Sequence, residues 1–264
     1  MKKTITAAVI ASAIGLAGFT ATAQTPEPKR EFRSTWVAGM GIDWPKNTTS
    51  EAKAKQQLIT YLDNFQRQNF TGVCIHVRPR ADAYYKSSYE PWSADISGRR
   101  GKDPGWDPLA FAIEECHKRG LECYAWVNPY RVNANGHDYA TDSRFTTPQD
   151  KEWAEKGWLI KSGNWTSFNP GLPEAREHCL NVIKEIYTNY AIDGMLFDDY
   201  FYPGTDFNDA ETFARYGADF NSIDDWRRDN VNTLIASLDE TLHALNPDLS
   251  FGVSPAGIWA NKSE

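Results

Sequence analysis

Two adjacent carboxylates, Asp198 and Asp199, directly follow the apolar residues 194–197. Such a run is typical of a buried strand, and a carboxylate at its end loses solvent at a cost that partners or a function must offset. At that position a carboxylate could act as a nucleophile, as the base for a water, or as support for a cationic sugar transition state. It could also cap the next loop or pair with an arginine. Both residues are therefore candidate catalytic groups.

Polar residues also leave the second apolar run, which ends near residue 79. Arg78 and Arg80 can each hold a carboxylate or a carbonyl group in a two-point hydrogen bond. Arg78 could instead neutralise one of the two carboxylates, which would keep that group ionised. Asp82 is either a second catalytic carboxylate or an N-cap within the loop, and Tyr84 adds an aromatic ring.

The third apolar run, 121–128, ends in an indole, an amide, a phenol and a guanidinium group, which belong to Trp126, Asn128, Tyr130 and Arg131. The polar groups offer directional hydrogen bonds, and the Trp126 ring can either cover the apolar face of a sugar or pack as ordinary core. Other aromatic residues crowd the predicted loop side: Trp36, Trp44, Tyr84, Tyr85, Trp92, Trp106, Trp165, Tyr200, Tyr202 and Trp259. Part of this set must pack the loops, and the rest is typical of a carbohydrate cleft.

Short apolar runs alternate with helical stretches along the chain. The predicted strands are 32–39, 72–79, 121–128, 194–199 and 249–254. The predicted helices are about 51–68, 107–120, 173–190 and 224–247. The second helix is the best marked, with Asp107 as cap, Pro108 at the first position and Gly120 as the stop. Strand and helix units in alternation predict an α/β fold with a parallel sheet.

Loop lengths favour a (β/α)8 TIM-like barrel over a doubly wound sheet. No glycine-rich phosphate loop follows the first strand, which argues against dinucleotide binding. Long insertions follow the second strand (80–105) and the third strand (131–172), on the side where barrels build active sites. Only five β/α units fit before residue 264, so we expect this chain to hold the first five units of a C-terminally incomplete barrel.

The N-terminus has the features of a secretory signal peptide. A basic start precedes the apolar run 7–19 and the small residues 21–23, which predicts a signal peptide at 1–23. A flexible leader at 24–31 and a single, C-terminally incomplete barrel domain at 32–264 would follow. We expect a periplasmic or secreted protein without membrane insertion, because no later stretch reaches the roughly 20 apolar residues that span a bilayer.

Charge and reactive residues argue against several other functions. The net charge of −7 disfavours binding to nucleic acid or anionic membranes. The cysteines at 74, 116, 123 and 179 lack CxxC spacing, and buried thiols are favoured over disulfides. Scattered histidines and the absence of a GxSxG motif disfavour a metal hydrolase and a serine hydrolase. We therefore expect no metal and no other cofactor, and a monomer.

Several motifs, in a fixed order along the chain, resemble one family. They are FRSTWV at 32–37, VRPRADAYY at 77–85, AWVNPYR at 125–131, NPG at 169–171, DG at 193–194 leading into FDDYFYP at 197–203, and GVSP at 252–255 with GIW at 257–259. This series strongly resembles the bacterial glycosyl-hydrolase-like family 10 proteins. The likeness spans nearly the whole chain after the predicted signal peptide.

The resemblance implies an exported TIM-barrel glycosidase acting on a polysaccharide, and one branch of the family cleaves peptidoglycan strands already stripped of stem peptides. By similarity to barrel glycosidases of the α-amylase and α-galactosidase type, it selects Asp198 as nucleophile, with Asp199 as second candidate. The general acid stays open among Asp82, Asp199, Asp43 and residues beyond 264. The expected substrate-binding residues are Trp36, Arg78, Arg80, Asp82, Tyr84, Trp126, Asn128, Tyr130, Arg131, Asn169, Tyr200, Tyr202 and Trp259. A non-catalytic glycan-binding protein on a degenerate barrel is the alternative.

Overall fold

The computed structural model describes residues 31–133, 147–198, 201–202 and 206–255. The strands are β1 (Ser34–Val37), β2 (Gly72–Arg78), β3 (Glu122–Val127), β4 (Arg131–Asn133), β5 (Leu159–Ser162), β6 (Trp165–Phe168), β7 (Gly194–Phe197) and β8 (Ser250–Val253). The helices are α1 (Glu51–Arg67), α2 (Ala94–Ser97), α3 (Pro108–Lys118), α4 (Pro148–Glu155), α5 (Pro173–Asn189), α6 (Ala210–Tyr216) and α7 (Ile223–Leu245). The predicted signal peptide, Asp199, Tyr200 and Trp259 lie outside the described residues.

The main sheet has five strands in the order β1-β2-β3-β7-β8, and every neighbouring pair is parallel. All five predicted strands are present, and helices α1, α3, α5 and α7 connect them where the sequence predicts helices. The α/β fold, with five parallel strands and four connecting helices among the described residues, is therefore confirmed. The carboxyl ends of parallel strands lie at one edge of a sheet, so the residues that follow β2, β3 and β7 meet there.

Strand β2 shows how the sequence separates the two faces of the sheet. All seven of its residues are buried, and Val73, Ile75 and Val77 join the apolar core formed with residues such as Leu58 of α1. Because side chains alternate along a strand, the intervening residues, which include His76, project from the opposite face. One face of the sheet thus packs on helices, while the other carries polar and aromatic groups.

The two long insertions contain regular structure that the sequence analysis did not predict. Insertion 131–172 folds into an antiparallel sheet in the order β4-β6-β5 and helix α4. The strands have three or four residues each, too few for a detectable alternation. Helix α4 did carry a signal, since Thr147 and Asp150 form a capping box around Pro148.

The cysteines agree with the expectation of buried thiols. Among the helices in the described residues, none is long and apolar enough to cross a membrane. All four cysteines are buried and free. The side chains thus act as small core groups rather than as cross-links.

We expect Gly194→Ala to destabilise the sheet, because a Cβ at this position would lie 2.7 Å from the backbone carbonyl oxygen of Ser250 on β8. A backbone oxygen cannot move without disturbing the β7–β8 ladder, so the free energy of unfolding should fall by about 1–3 kcal/mol. Gly252→Ala is the matched control, since its Cβ would meet only the Leu196 side-chain tip at 2.9 Å. Urea unfolding of both variants tests this, and equal losses would contradict it.

Candidate active site

Asp198 lies immediately after β7, and only 8% of its surface is exposed. Its Oδ1 accepts a 2.7 Å hydrogen bond from the Asn128 amide, and its Oδ2 accepts one of 3.3 Å from the Trp126 indole nitrogen. The Arg131 guanidinium lies 3.7 Å from the same Oδ2. Both oxygens therefore face donors, which fix the orientation of the carboxylate.

The exit from β3 orients the Asn128 amide. The Asn128 backbone N–H donates to the Arg78 carbonyl at 3.0 Å, and its side-chain Oδ1 accepts the backbone N–H groups of Tyr130 (3.3 Å) and Arg131 (2.7 Å). Because Oδ1 is occupied by two donors, the Nδ2 group must be the one that faces Asp198. A turn of four residues thus aims a donor at the carboxylate on the next strand.

Arg78 ends β2 with its side chain completely buried. Its guanidinium forms a two-point ion pair with Glu90, including a 2.8 Å bond from Nε to Oε2, and it also donates to the Asn128 carbonyl. His178 Nε2 lies 3.5 Å from Glu90 Oε1. Burial alone would raise the pKa of Glu90, but the Arg78 charge, the nearby His178 ring and the hydrogen bonds from Arg78 lower that pKa to about 2. Arg78 therefore holds the backbone of Asn128 through a hydrogen bond to its carbonyl oxygen. A direct contact between Arg78 and a sugar stays a prediction.

Arg80, Asp82 and Tyr84 form an ionic cluster within the insertion after β2. Arg80 donates to Asp95 at 2.6 Å, and the Tyr84 hydroxyl donates to the same carboxylate at 2.7 Å. Asp82 is buried, accepts the Arg80 backbone N–H and lies 3.4 Å from Arg100. Burial raises the pKa of Asp82, and Arg80 and Arg100 oppose that rise. These ion pairs and hydrogen bonds stabilise the loop after β2. The assignment of Asp82 as general acid, and of Arg80, Asp82 and Tyr84 as sugar-binding residues, stays a prediction.

An aromatic stack covers the sheet face next to Asp198. Trp126 lies parallel to His76 with ring centroids 3.8 Å apart, and Trp36 meets Trp126 edge-on at 4.8 Å. Trp36 is 38% exposed. The exposed Trp36 ring thus packs on the indole that donates to Asp198, and an exposed aromatic face of this kind can cover a sugar ring.

Three other predicted residues contribute to the scaffold around the strand ends. Tyr130 is fully buried, and its hydroxyl has no hydrogen-bond partner among the described residues. Asn169 donates to the Thr212 hydroxyl at 2.8 Å, and the Tyr202 hydroxyl accepts from Asn230 at 3.3 Å. These contacts link the second insertion and the segment after β7 to helices α6 and α7. A direct role of these three in sugar binding stays a prediction.

Open clefts lie elsewhere on the described surface. One of about 630 Å³ is lined by residues such as Tyr89, Trp158 and His178, and another of about 520 Å³ by residues such as Trp92 and Arg99. Neither cleft includes Asp198 in its lining. Hydrogen-bonded geometry around a carboxylate is stronger evidence for a reactive site than cleft volume, so the candidate site remains at the end of β7.

A comparison with known protein families agrees with the resemblance that the ordered sequence motifs indicated. The family model described as Glycosyl hydrolase-like 10 matches residues 31–264. The chain belongs to this family. Within it, glycosyl hydrolase YngK of Bacillus subtilis strain 168 is 43% identical over 242 residues, covering 89% of this chain and 47% of the relative. Glycosyl hydrolase DigH of Escherichia coli K12 is 38% identical over 263 residues, covering 94% and 60%. The chain thus spans about half of these relatives.

Solved structures confirm the fold class. Alpha-L-fucosidase isoenzyme 2 from Paenibacillus thiaminolyticus matches with a TM-score of 0.53 and 14% identity, over 85% of this chain and 32% of that one. The alpha-galactosidase from Lactobacillus brevis matches with a TM-score of 0.52 and 14% identity, over 86% and 28%. The arrangement of five parallel strands with helices between them is therefore the fold found in TIM-barrel glycosidases.

Sequence reasoning missed Glu90 as the partner of Arg78. The two residues are twelve positions apart, and Glu90 stands in an irregular loop without any periodic pattern. The only available signal was chemical: a guanidinium on a buried strand requires a buried anion. That argument predicts a partner but cannot choose it among the carboxylates of the insertion.

Proposed function

We propose that this chain carries the catalytic centre of an exported glycoside hydrolase that cleaves O-glycosidic bonds of bacterial cell-wall glycan. In this proposal Asp198 acts as nucleophile or base, and the substrate is a peptidoglycan strand free of stem peptides or a related polysaccharide. Membership of a glycosyl-hydrolase-like family and two relatives named glycosyl hydrolases support the reaction class.

The geometry around Asp198 is the observation that carries the proposal. Donors from Asn128 and Trp126, with Arg131 nearby, hold the carboxylate in one orientation at the end of a parallel strand. A fixed anion suits attack on, or stabilisation of, an electron-poor anomeric carbon. A residue that served only as a loop cap would not need donors from the end of a neighbouring strand as well as a nearby guanidinium.

The arginines provide an argument for an anionic glycan. Cell-wall glycan contains N-acetylmuramic acid, whose lactyl carboxylate becomes free once stem peptides are removed. Among Arg78, Arg80 and Arg131, the last lies nearest to the reacting group that we propose, at 3.7 Å from Asp198. We assign to Arg131 the recognition of that carboxylate, which would reconcile the acidic chain with an acidic substrate.

Reducing-end release from purified glycan tests the proposal. The protein is incubated with peptide-free strands and, in parallel, with strands that retain stem peptides. We expect new reducing ends from the peptide-free strands only, and strongly reduced release by Asp198→Asn. Tight glycan binding without release by the unmodified protein would overturn the proposal in favour of a non-catalytic glycan-binding protein.

A further inference from the structure

His76 is the most deeply buried polar group beside the candidate site that the proposed reaction leaves unused. It lies on β2 opposite Trp126 of β3 in the strand register, with 1% of its surface exposed. Its ring is parallel to the Trp126 indole, at a centroid distance of 3.8 Å and an angle of 8°. Within the part of the chain that the structure describes, the aromatic partner of His76 is therefore Trp126, which it contacts face to face.

Neither nitrogen of the His76 ring has a hydrogen-bond partner among the described residues. The described residues offer these nitrogens no hydrogen bond that could account for the position of the ring, whereas the ring face lies against Trp126. Burial, followed by the charges of Arg131, Arg80 and Arg78, lowers the pKa of His76 well below its usual value. The imidazole is therefore uncharged and contributes through its flat face.

The stacked face of His76 lies against the indole that bonds Asp198. The indole that His76 covers donates its Nε1–H to Asp198 Oδ2 at 3.3 Å, a distance near the long limit for a hydrogen bond. Trp36 contacts the same indole at an interplanar angle of 85°. A small rotation of the indole would break a bond of this length, so the groups that set its plane also set the position of the donor.

We propose that His76 is a positioning residue that acts through Trp126: its ring fixes the plane of the indole so that the indole N–H stays aimed at Asp198. This inference rests on the proposed role of Asp198 and deepens it. According to this inference, His76 on β2 helps to position the indole that bonds Asp198 after β7.

Two variants of His76 distinguish the contribution of the ring face from that of the ring nitrogens. His76→Leu removes the flat face at similar size, and His76→Phe keeps the face while removing both nitrogens. On glycan strands we expect kcat to fall about tenfold for the Leu variant with KM nearly unchanged, and the Phe variant to recover kcat to within about threefold. A Phe variant as slow as the Leu variant would overturn the inference, because the nitrogens would then matter.

A second readout does not depend on turnover. The indole N–H resonance of Trp126, assigned by its loss in Trp126→Phe, reports the hydrogen bond to Asp198 in NMR spectra of the whole chain. We expect this resonance to move upfield in His76→Leu and in Asp198→Asn, and to stay near its original position in His76→Phe. An unmoved resonance in His76→Leu would refute the positioning role. Inactivity of the unmodified protein with the expected shifts would refute the proposed function alone.

Discussion

Asp198→Asn is expected to lower the rate of glycosidic bond cleavage by about 10³-fold or more. Asparagine has the size of aspartate but cannot attack an anomeric carbon or accept a proton from water. Its amide would also turn an NH2 group toward a donor, since both oxygens of Asp198 face donors in the structure. Initial rates of reducing-end release measure the loss, and circular dichroism confirms that the variant is folded.

Asp193→Asn is the matched control for this experiment. Asp193 lies just before the same strand at its opposite end, where it contacts His117 at 2.8 Å and the Cys123 backbone N–H at 2.7 Å. The same chemical change there should leave the rate close to that of the unmodified protein. Equal activity of Asp198→Asn and the unmodified protein would remove Asp198 from the mechanism.

Glu90→Gln is expected to reduce the free energy of unfolding by about 3–5 kcal/mol. The substitution keeps the shape of the side chain but leaves the Arg78 guanidinium without its anion at a position with no solvent exposure. Stability loss of this size is characteristic of an unpaired buried charge. Denaturant unfolding of the variant and the unmodified protein measures the difference.

Two further variants show whether the charge is the cause. Glu152→Gln removes a surface carboxylate that pairs with Lys156 on α4, and little change is expected. Adding Arg78→Met to Glu90→Gln removes the stranded charge and should recover part of the stability. If Glu90→Gln unfolds at the same denaturant concentration as the unmodified protein, the buried pair does not stabilise the strand exit.

The same ion pair predicts how stability depends on pH. The Glu90 pKa of about 2 in the folded chain lies below its ordinary value of 4.5, so the folded state binds the proton less readily than the unfolded state. The contribution is fully present above pH 4.5 and is lost as the pH falls toward 2. About 3 kcal/mol should disappear over this window. Unfolding curves at several pH values should show a smaller loss for Glu90→Gln, and parallel losses would contradict the assignment.

Local signals and long-range contacts differ in how far they could be predicted from the sequence. Helix α3 was predictable because Asp107, Pro108 and Gly120 each act on the backbone next to them. Asp198 was predictable as a candidate because a carboxylate ending an apolar strand is itself anomalous. The small β4-β6-β5 sheet was not, because its three short strands are stable only as a set.

The environment of Asp198 required the structure for the same reason. Asn128 and Trp126 were singled out as polar and aromatic groups, but their bonds to Asp198 join residues 70 and 72 positions apart. The stack of His76 on Trp126 depends on the parallel register of β2 and β3. Strand order and register follow from the packing of the whole sheet, which no local pattern contains.

The origin of Arg131 has a consequence for how such proteins diversify. Asp198 and Asn128 follow strands of the main sheet, whereas Arg131 opens the small antiparallel sheet of the second insertion. Asp198 and its cationic neighbour therefore come from the main sheet and from the insertion, respectively. Under the proposed function, grafting a different insertion onto the same strands would exchange the cation and with it the preferred polymer, while Asp198 stayed in place.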